Sequence, residues 1–499
     1  MKKISYILTA GITFGSLLFS GCSDFLDINT DPDNIVSTSA PLPQLLTAAQ
    51  VNLGFEGGSD KFRYSSIITQ HLSGQVSQPN QTFEFDRYNI TGSDQNNLWS
   101  SVFATTLSDL ELIIKNASAS GSPHYSGVAK IMKAYEYQLA VDIWGNVPFT
   151  EALLLDQNTQ PVYDDASAIY TNLIKLLNEG ITEINATAST ISPGTNSVIY
   201  PGTFATTKKQ WEKFANALKL RIFLHYSKLD PALMTQQINA LTGANAVLME
   251  GNEDSFEMKF LDEANRRNPI HAYEISRANY LFPGANLVDM MNAKADPRRT
   301  SYFTAFPYGS TTYKGVKSGD AATVNYSRMH TYLRGAVSGT PTPNAQGGIV
   351  ATALTYNGTA PIRMLTYAEY CFIRAEAALR GANGVAQEWF TKGITASMKS
   401  AGVADAAIAT YLTANGTLAG ATEAMIKQVI EEKYIAQYGV AVESWTDYRR
   451  TGYPALKVPT NAMETAVPRS LYYPQSEIDT NPLNVTQKTN QQVRIFWDK

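Results

Sequence analysis

The chain has 499 residues, 44% hydrophobic and 17% charged, with 33 Gly and 22 Pro. That composition supports a globular protein with a full core and excludes a disordered, collagen-like or disulfide-stapled one. Forty basic residues stand against 44 acidic ones, a formal net charge of −4, so no overall positive field is available to hold nucleic acid or an anionic membrane.

In chain order, Met1, Lys2 and Lys3 give a short positive start, and 4–19 is an uncharged apolar run. It is shorter than the ~20 residues of a spanning helix and reads as the hydrophobic region of a secretory signal. Ser20 and Gly21 then precede Cys22, and Leu18-Phe19-Ser20-Gly21-Cys22 resembles a bacterial lipobox. That resemblance implies cleavage before Cys22 and lipidation of its thiol; the alternative is an ordinary signal with an incidental cysteine. Cys371 would be the remaining thiol of the mature chain, so stability must rest on packing, not on disulfides. The organisation expected is a signal peptide over 1–21, lipidated cysteine and polar tether over 22–40, and a single domain over 41–499. No later segment is apolar enough to cross a membrane.

The body reads mainly as helices. Helical periodicity is expected from Ser93 to about Ala117 and from Tyr125 to Trp144, where Ala134, Tyr137, Val141 and Trp144 share a face. Residues 164–185 and 206–229 form a second likeness of a pair, and 366–380 and 385–400 a third, joined by Gly381-Ala382-Asn383-Gly384, whose glycines suit a helix end and turn. In the third pair Ala368, Cys371, Ala375 and Ala378 make a small-residue stripe suited to close helix approach. A further helix is expected over 422–438. Helix pairs with short turns are the unit of a tetratricopeptide-like α-solenoid, here degenerate because no strict period recurs. The pairs occupy about 93–229 and 364–447. Between them, about 243–360 is rich in Gly, Asn, Thr, Tyr and Pro and reads as a loop-rich, ligand-facing insertion with a few short strands, such as 255–260 and 301–306.

HExxH, GxSxG, Walker A, GxGxxG and CxxC patterns are absent from the sequence. The five histidines, His71, His124, His225, His271 and His330, lack metal-ligand spacing. Asp142 and Glu151 flank a Trp-Gly turn and Glu431 and Glu432 sit on a late helix; the simplest reading is hydrogen bonding near a helix end for Asp142 and a solvated face for the glutamates. No enzyme activity, cofactor or metal is expected.

Four segments in order carry a resemblance: Trp144-Gly145-Asn146-Val147-Pro148-Phe149-Thr150-Glu151-Ala152, Asp296-Pro297-Arg298-Arg299, Glu443-Ser444-Trp445-Thr446-Asp447-Tyr448-Arg449-Arg450, and Pro468-Arg469-Ser470-Leu471-Tyr472-Tyr473-Pro474. Together with the lipobox they resemble the SusD/RagB superfamily over essentially the whole chain. Physically these pieces read as architecture: Gly145 and Pro148 stop a helix, and Arg449 and Arg450 can reach carbonyls or carboxylates through fixed guanidinium forks, tying the C-terminal helix to the loops. The resemblance implies a tetratricopeptide scaffold, surface capture of nutrients, most often oligosaccharides, and delivery to a SusC-like TonB-dependent transporter. It also implies an outer-membrane location facing outwards, in keeping with the acidic residues after Cys22, which resemble an export signal of Bacteroidetes lipoproteins. Peptide or other non-glycan ligands, a glycoside hydrolase and a scaffolding adhesin are the alternatives.

Sugar rings have an apolar C–H face, which an aromatic ring covers, and a hydroxyl rim, which amides and guanidinium groups bond. Two polar-aromatic stretches supply this mixture. From the first, His71, Gln78, Phe83 and Tyr88 are candidate ligand-binding residues; from the second, Asn265, Arg266, Tyr273 and Tyr280, with Tyr313 further along.

Overall fold

A computed structural model describes residues 40–74, 80–154, 157–243, 245–320, 325–339 and 354–499. The expected signal peptide, Cys22, nearly all of the tether and Gln78 lie outside the described residues. Residues Leu42–Lys499 form one compact unit.

Helices α1 (Leu42–Gly57) and α2 (Asp60–Ile68) precede strand β1 (Leu72–Gly74) and the short helix α3 (Gln81–Asp86). The helix expected from Ser93 is built in three pieces: α4 (Gly92–Trp99), a π-helical stretch Ser100–Leu107, and α5 (Ser108–Ala119). It starts one residue earlier than expected because Thr91 is the cap, its backbone N–H donating to Asp94 at 2.8 Å. Across the wider π turns Leu98, Val102, Leu107, Leu110 and Ile113 all still reach the core.

Helix α6 (Pro123–Trp144) begins on a proline and stops at Gly145, whose φ of +84° few other residues tolerate. Helix α7 (Ala166–Ile184) is capped by Asp165, which accepts from the N–H of Ser167 at 2.9 Å. The two run antiparallel and cross at Gly127 and Gly180, where a Cβ on Gly127 would press on the Gly180 carbonyl and Ile184. Helices α8 (Phe204–His225) and α9 (Pro231–Leu241) complete the first half of the scaffold.

The middle region is loop-rich with short strands, as expected, and it also holds short helices. In order come β2 (Phe256–Met258), α10 (Pro269–Ser276), β3 (Leu281–Pro283), α11 (Ala285–Ala293), α12 (Arg299–Tyr302) and α13 (Thr331–Arg334), then β4 (Val337–Ser338), β5 (Thr355–Tyr356) and β6 (Ile362–Leu365). The stretch 301–306, expected to be extended, begins as helix: Asp296 accepts the N–H of Arg298 at 2.9 Å and starts a helical turn. Extended backbone starts only at Phe303, which bridges Met329. The strands pair antiparallel as β1–β3, β2–β6 and β4–β5.

The second half of the scaffold contains α14 (Tyr367–Leu379), α15 (Ala386–Ser400), α16 (Asp405–Asn415), α17 (Thr422–Ala436), α18 (Glu443–Thr451) and α19 (Gln475–Thr480). Helix α14 is buried on nearly every side. Its small-residue stripe therefore divides: Cys371 faces the main core, while Ala368 and Ala375 join Phe372, Phe390 and Ile394 in a second cluster against α15. The fold is thus mainly α, a tetratricopeptide-like stack of helix pairs carrying a loop-rich region with few strands.

Buried ion pairs join the late helices. Arg221 on α8 makes a two-pronged contact with Glu369 on α14 at 2.7 and 2.9 Å. Lys433 on α17 reaches Asp447 at 2.8 Å and Glu443 at 3.3 Å. Arg450 on α18 donates to Glu376 at 2.7 Å and Asp447 at 2.8 Å. Burial alone would raise the Glu376 pKa, but Arg450 and then Arg380 hold it down at about 2. Arg449 donates to the carbonyls of Asp142 and Arg469 at 2.6 and 2.7 Å, pinning α18 to the end of α6. Glu432, expected on a solvated face, is buried, because Arg298 at 2.9 Å and Lys294 at 2.6 Å neutralise it.

Candidate functional site

Strand β1 lies at the end of α2 and β3 some two hundred positions later, yet they pair in the register Leu72↔Pro283, Ser73↔Phe282, Gly74↔Leu281. Burial of Leu72, Leu281 and Phe282 supplies the drive. Two glycines permit the approach: a Cβ on Gly74 would collide with the Thr82 carbonyl, and one on Gly284 with the Gln70 carbonyl. The two polar-aromatic stretches of the sequence therefore meet in one seam, which the Thr82 hydroxyl crosses by donating to the Tyr280 carbonyl at 2.7 Å. On the other side of β3, Ala285 N–H donates to Val316 carbonyl at 2.7 Å and Val316 N–H to Pro283 carbonyl at 2.9 Å. Asp86 locks the three segments, accepting from Ser73 Oγ at 3.1 Å and from the N–H groups of Gly74 at 3.2 Å and Gly319 at 2.6 Å. Burial lifts its pKa to about 6 despite these donors.

At this seam opens a cavity of about 410 Å³, walled by Gln70, Asn286, Asp289, Lys317, Asp320 and the 457–460 segment. Amide, carboxylate and ammonium groups stand there beside Val316, Val458 and Pro459. Such a wall can bond hydroxyls with both donors and acceptors while covering apolar patches. Gln70 adopts φ +60°, held by donating Nε2 to the Lys457 carbonyl and, at 3.4 Å, to the Tyr88 hydroxyl.

The candidate residues divide by exposure. His71 is a correction: it is 1% exposed, stacked on Tyr434 at 4.0 Å with Nε2 2.8 Å from the Tyr434 carbonyl, and burial pushes its pKa down to about 3. Tyr88 is another, 1% exposed and supporting Gln70 from beneath. Tyr273 is buried between Arg63 and Arg277, whose guanidinium carbons lie 4.6 and 5.4 Å from its ring centroid. A ligand cannot cover rings enclosed in this way. Phe83 and Tyr280 are half-buried and belong to backbones joined by the Thr82 bond. Tyr313 is half-buried under Arg299 at 5.2 Å. Asn265 and Arg266 are exposed, on a local turn where Arg266 pairs with Glu263 at 3.0 Å.

Sequence reasoning missed the cavity wall. Asn286 and Asp289 sit on α11 and Lys457 comes from the far C-terminal region, so no local composition groups them. It also missed a set of buried polar atoms without hydrogen-bond partners near α10 and α13: both ring nitrogens of His271, the Tyr273 hydroxyl, Glu274 Oε1, Arg328 Nη1 and Arg334 Nε. Burial, then the charges of Arg334 and Arg267, lowers the His271 pKa to about 4.

Asp142, His225 and Glu443 bring ligand-type atoms within 4.8 Å of one another. Their oxygens are already engaged. Asp142 accepts from Tyr170, Gln138 and Trp497 Nε1, the last at 3.0 Å, and Glu443 is held by Lys433 and Arg221. A dication would be repelled by those two cations, so the trio is a junction of the ion-pair network. Asp142 thus matches its expected hydrogen-bonding place near a helix end.

The paired helices and their short-stranded loop face define a SusD-like fold. The family model described as starch-binding associating with outer membrane matches residues 32–474, and the chain belongs to this SusD-like family. Among solved structures, a chitin-binding protein is 26% identical, with a TM-score of 0.76 over 92% of this chain and 100% of its own. A SusD homologue from Bacteroides uniformis is 21% identical, with a TM-score of 0.74 over 91% and 99% of the two chains. A chitin-binding SusD homologue from Flavobacterium johnsoniae is 21% identical, with a TM-score of 0.73 over 92% and 98%. A search of curated protein sequences finds no match. Among the described residues no helix is long and apolar enough to cross a membrane.

Proposed function

We propose that this chain is a cell-surface lipoprotein, anchored through Cys22, that captures an oligosaccharide at the β1–β3 seam and passes it to a SusC-like TonB-dependent transporter of the outer membrane. The observation that carries the binding step is the 410 Å³ polar cavity built where three loop segments converge. Hydroxyl-rich ligands suit a wall that offers donors and acceptors with apolar strips between them. Chitin binding by two of the similar proteins supports a glycan as ligand. Asn286 and Asp289 of the cavity wall are proposed to bond sugar hydroxyls, and Phe83 and Tyr280, half-exposed at the seam outside that wall, to cover a further ring of the same chain. The lipidation, the transporter partner and the outward orientation follow from the lipobox and the family pattern.

Titration calorimetry against a panel of chitin-, starch- and other neutral oligosaccharides tests the reading. At least one should bind, and Asn286→Ala with Asp289→Ala should weaken it by about tenfold, the loss of one or two hydrogen bonds to a sugar. Binding unaffected by these changes and by Tyr280→Ala would remove the site from the seam. Loss of labelled palmitate incorporation in Cys22→Ala is the expected sign of the anchor.

A further inference from the structure

The scaffold carries a second cleft, sharing no residue with the seam. It lies between α8, α14, α15 and the 246–250 segment, holds about 400 Å³, and is walled by Lys209, Lys213, Tyr370, Arg374 and Trp389. A neighbouring cavity of about 370 Å³ continues along α15 past Tyr367, Thr391, Lys392 and Lys399, with the 250–253 turn between them.

Arg374 sets this cleft apart. It is 7% exposed, donates Nη1 to the Tyr370 hydroxyl at 3.0 Å, and leaves Nε without a hydrogen-bond partner. No ion pair to a carboxylate forms at Arg374 among the described residues, whereas the similarly buried Arg221, Arg298, Arg328 and Arg450 each have one; Arg363 and Arg449 also lack one, but they give their guanidinium N–H groups to backbone carbonyls. A buried guanidinium without a counter-charge is costly, and an anion entering the cleft would relieve it. The cleft linings also hold two carboxylates, Glu250, which is paired with Lys213, and Glu253 at the neighbouring cavity, against four further cations, Lys209, Lys213, Lys392 and Lys399. Lys213 is engaged by Glu250 and Asp254, while Lys209 and Lys392 are exposed and bridged to no carboxylate among the described residues. The Arg374 guanidinium carbon and the Lys392 ammonium each lie 4.5 Å from the Trp389 ring centroid, so the indole carries positive charge on its surface.

We propose that this cleft binds an acidic saccharide, its carboxylate or sulfate seated on Arg374 between Lys209 and Trp389, with the chain continuing along α15. The volume fits a small-molecule unit rather than a bare ion. Tyr367 extends the wall with a ring face, while the Thr391 and Thr395 hydroxyls, which donate to carbonyls of their own helix at 3.0 and 2.8 Å, can there only accept.

The test is calorimetry on the full chain with oligogalacturonate, sulfated heparin-derived oligosaccharide, inorganic sulfate and a neutral oligosaccharide, at low and high salt. One acidic oligosaccharide should bind in a salt-sensitive way, and Arg374→Gln should weaken it by about tenfold or more. The exposed pair Lys209→Gln with Lys392→Gln, which leaves the core intact, should weaken it by about threefold and flatten the salt dependence. Oligogalacturonate alone, or the sulfated chain alone, identifies the anionic group. Absence of acidic binding, or indifference to both variants, overturns the proposal; so does inorganic sulfate binding as tightly as either oligosaccharide. Tyr280→Ala should spare acidic binding, and its loss there would move the acidic ligand to the seam. Acidic binding retained with no neutral ligand found would instead overturn the seam reading and leave this one standing.

Discussion

Two regions of this molecule treat buried polarity in opposite ways. Around α14, α17 and α18 the scaffold matches cation to carboxylate: Arg221 to Glu369, Lys433 to Asp447, Arg450 to Glu376. Around α10 and α13 the loop region buries His271, Tyr273 and Arg334 with hydrogen-bonding atoms unused. Matched charges fix helices in one arrangement because separating either partner is expensive. Unused donors and acceptors cost stability in the empty protein and leave capacity for water or ligand. Matched pairs thus dominate the helical scaffold, Arg374 excepted, while the loop region holds a cluster of unused donors and acceptors beside the Arg328–Glu274 pair.

The comparison breaks most sharply at Glu376. Replacing it by Ala leaves buried Arg450 with only Asp447, which Lys433 also holds, and should destabilise the fold by about 3 kcal/mol in chemical denaturation; a loss below ~1 kcal/mol would show that the pairs do not hold the helices. Next comes pH. His71 has its folded pKa depressed to about 3, so its contribution is complete above its ordinary value near 6.5 and is lost as pH falls towards 3, at up to ~1.4 kcal/mol per pH unit. Asp86 acts with the opposite sign: its folded pKa is raised to about 6, so its contribution is complete below its ordinary value and lost as pH rises through 6. Between about pH 4 and 6 the two slopes oppose each other, so thermal melts should stay nearly flat there and fall steeply only below about 4, where His71 acts alone; His71→Phe, which keeps the ring stack, should flatten that lower limb. In the loop region, Tyr280→Ala should change stability by less than ~1 kcal/mol, as expected of a half-buried side chain, while weakening glycan binding by about tenfold. The smallest effect belongs to Cys371. Burial pushes its thiol up to about 12, so alkylation of the native protein should be negligible until denaturant is added, and Cys371→Ala should shift Tm by only a few degrees.

Much of the scaffold was legible because α6, α7, α8, α14, α15 and α17 carry apolar faces at helical spacing, and the expected bounds lie within a few residues of those observed. Helix α18 was legible as a motif, with Arg449 and Arg450 read as ties, but not their partners: Glu376 on α14 and the carbonyl of Asp142 on α6 come to them only in the fold. Glu432 misled for the same reason. The loop region was legible as composition only. Three-residue strands have too little alternation to betray β1–β3 pairing, and composition cannot say which face of a polar segment turns inwards, which is why His71 and Tyr88 looked like ligand contacts. The cavity wall joins residues near 70, 286, 317 and 457, a grouping that exists only after folding.

That wide separation has a consequence for biogenesis. Closing a loop from Gln70 to Lys457 orders nearly four hundred intervening positions, and contacts so remote in sequence form after the local helix pairs. A chain made amino end first can stack α6 on α7 early, but the cavity wall cannot close until the 457–460 segment has been added. A chain cut short before Lys457 would keep the early helix pairs and lack one side of the cavity wall.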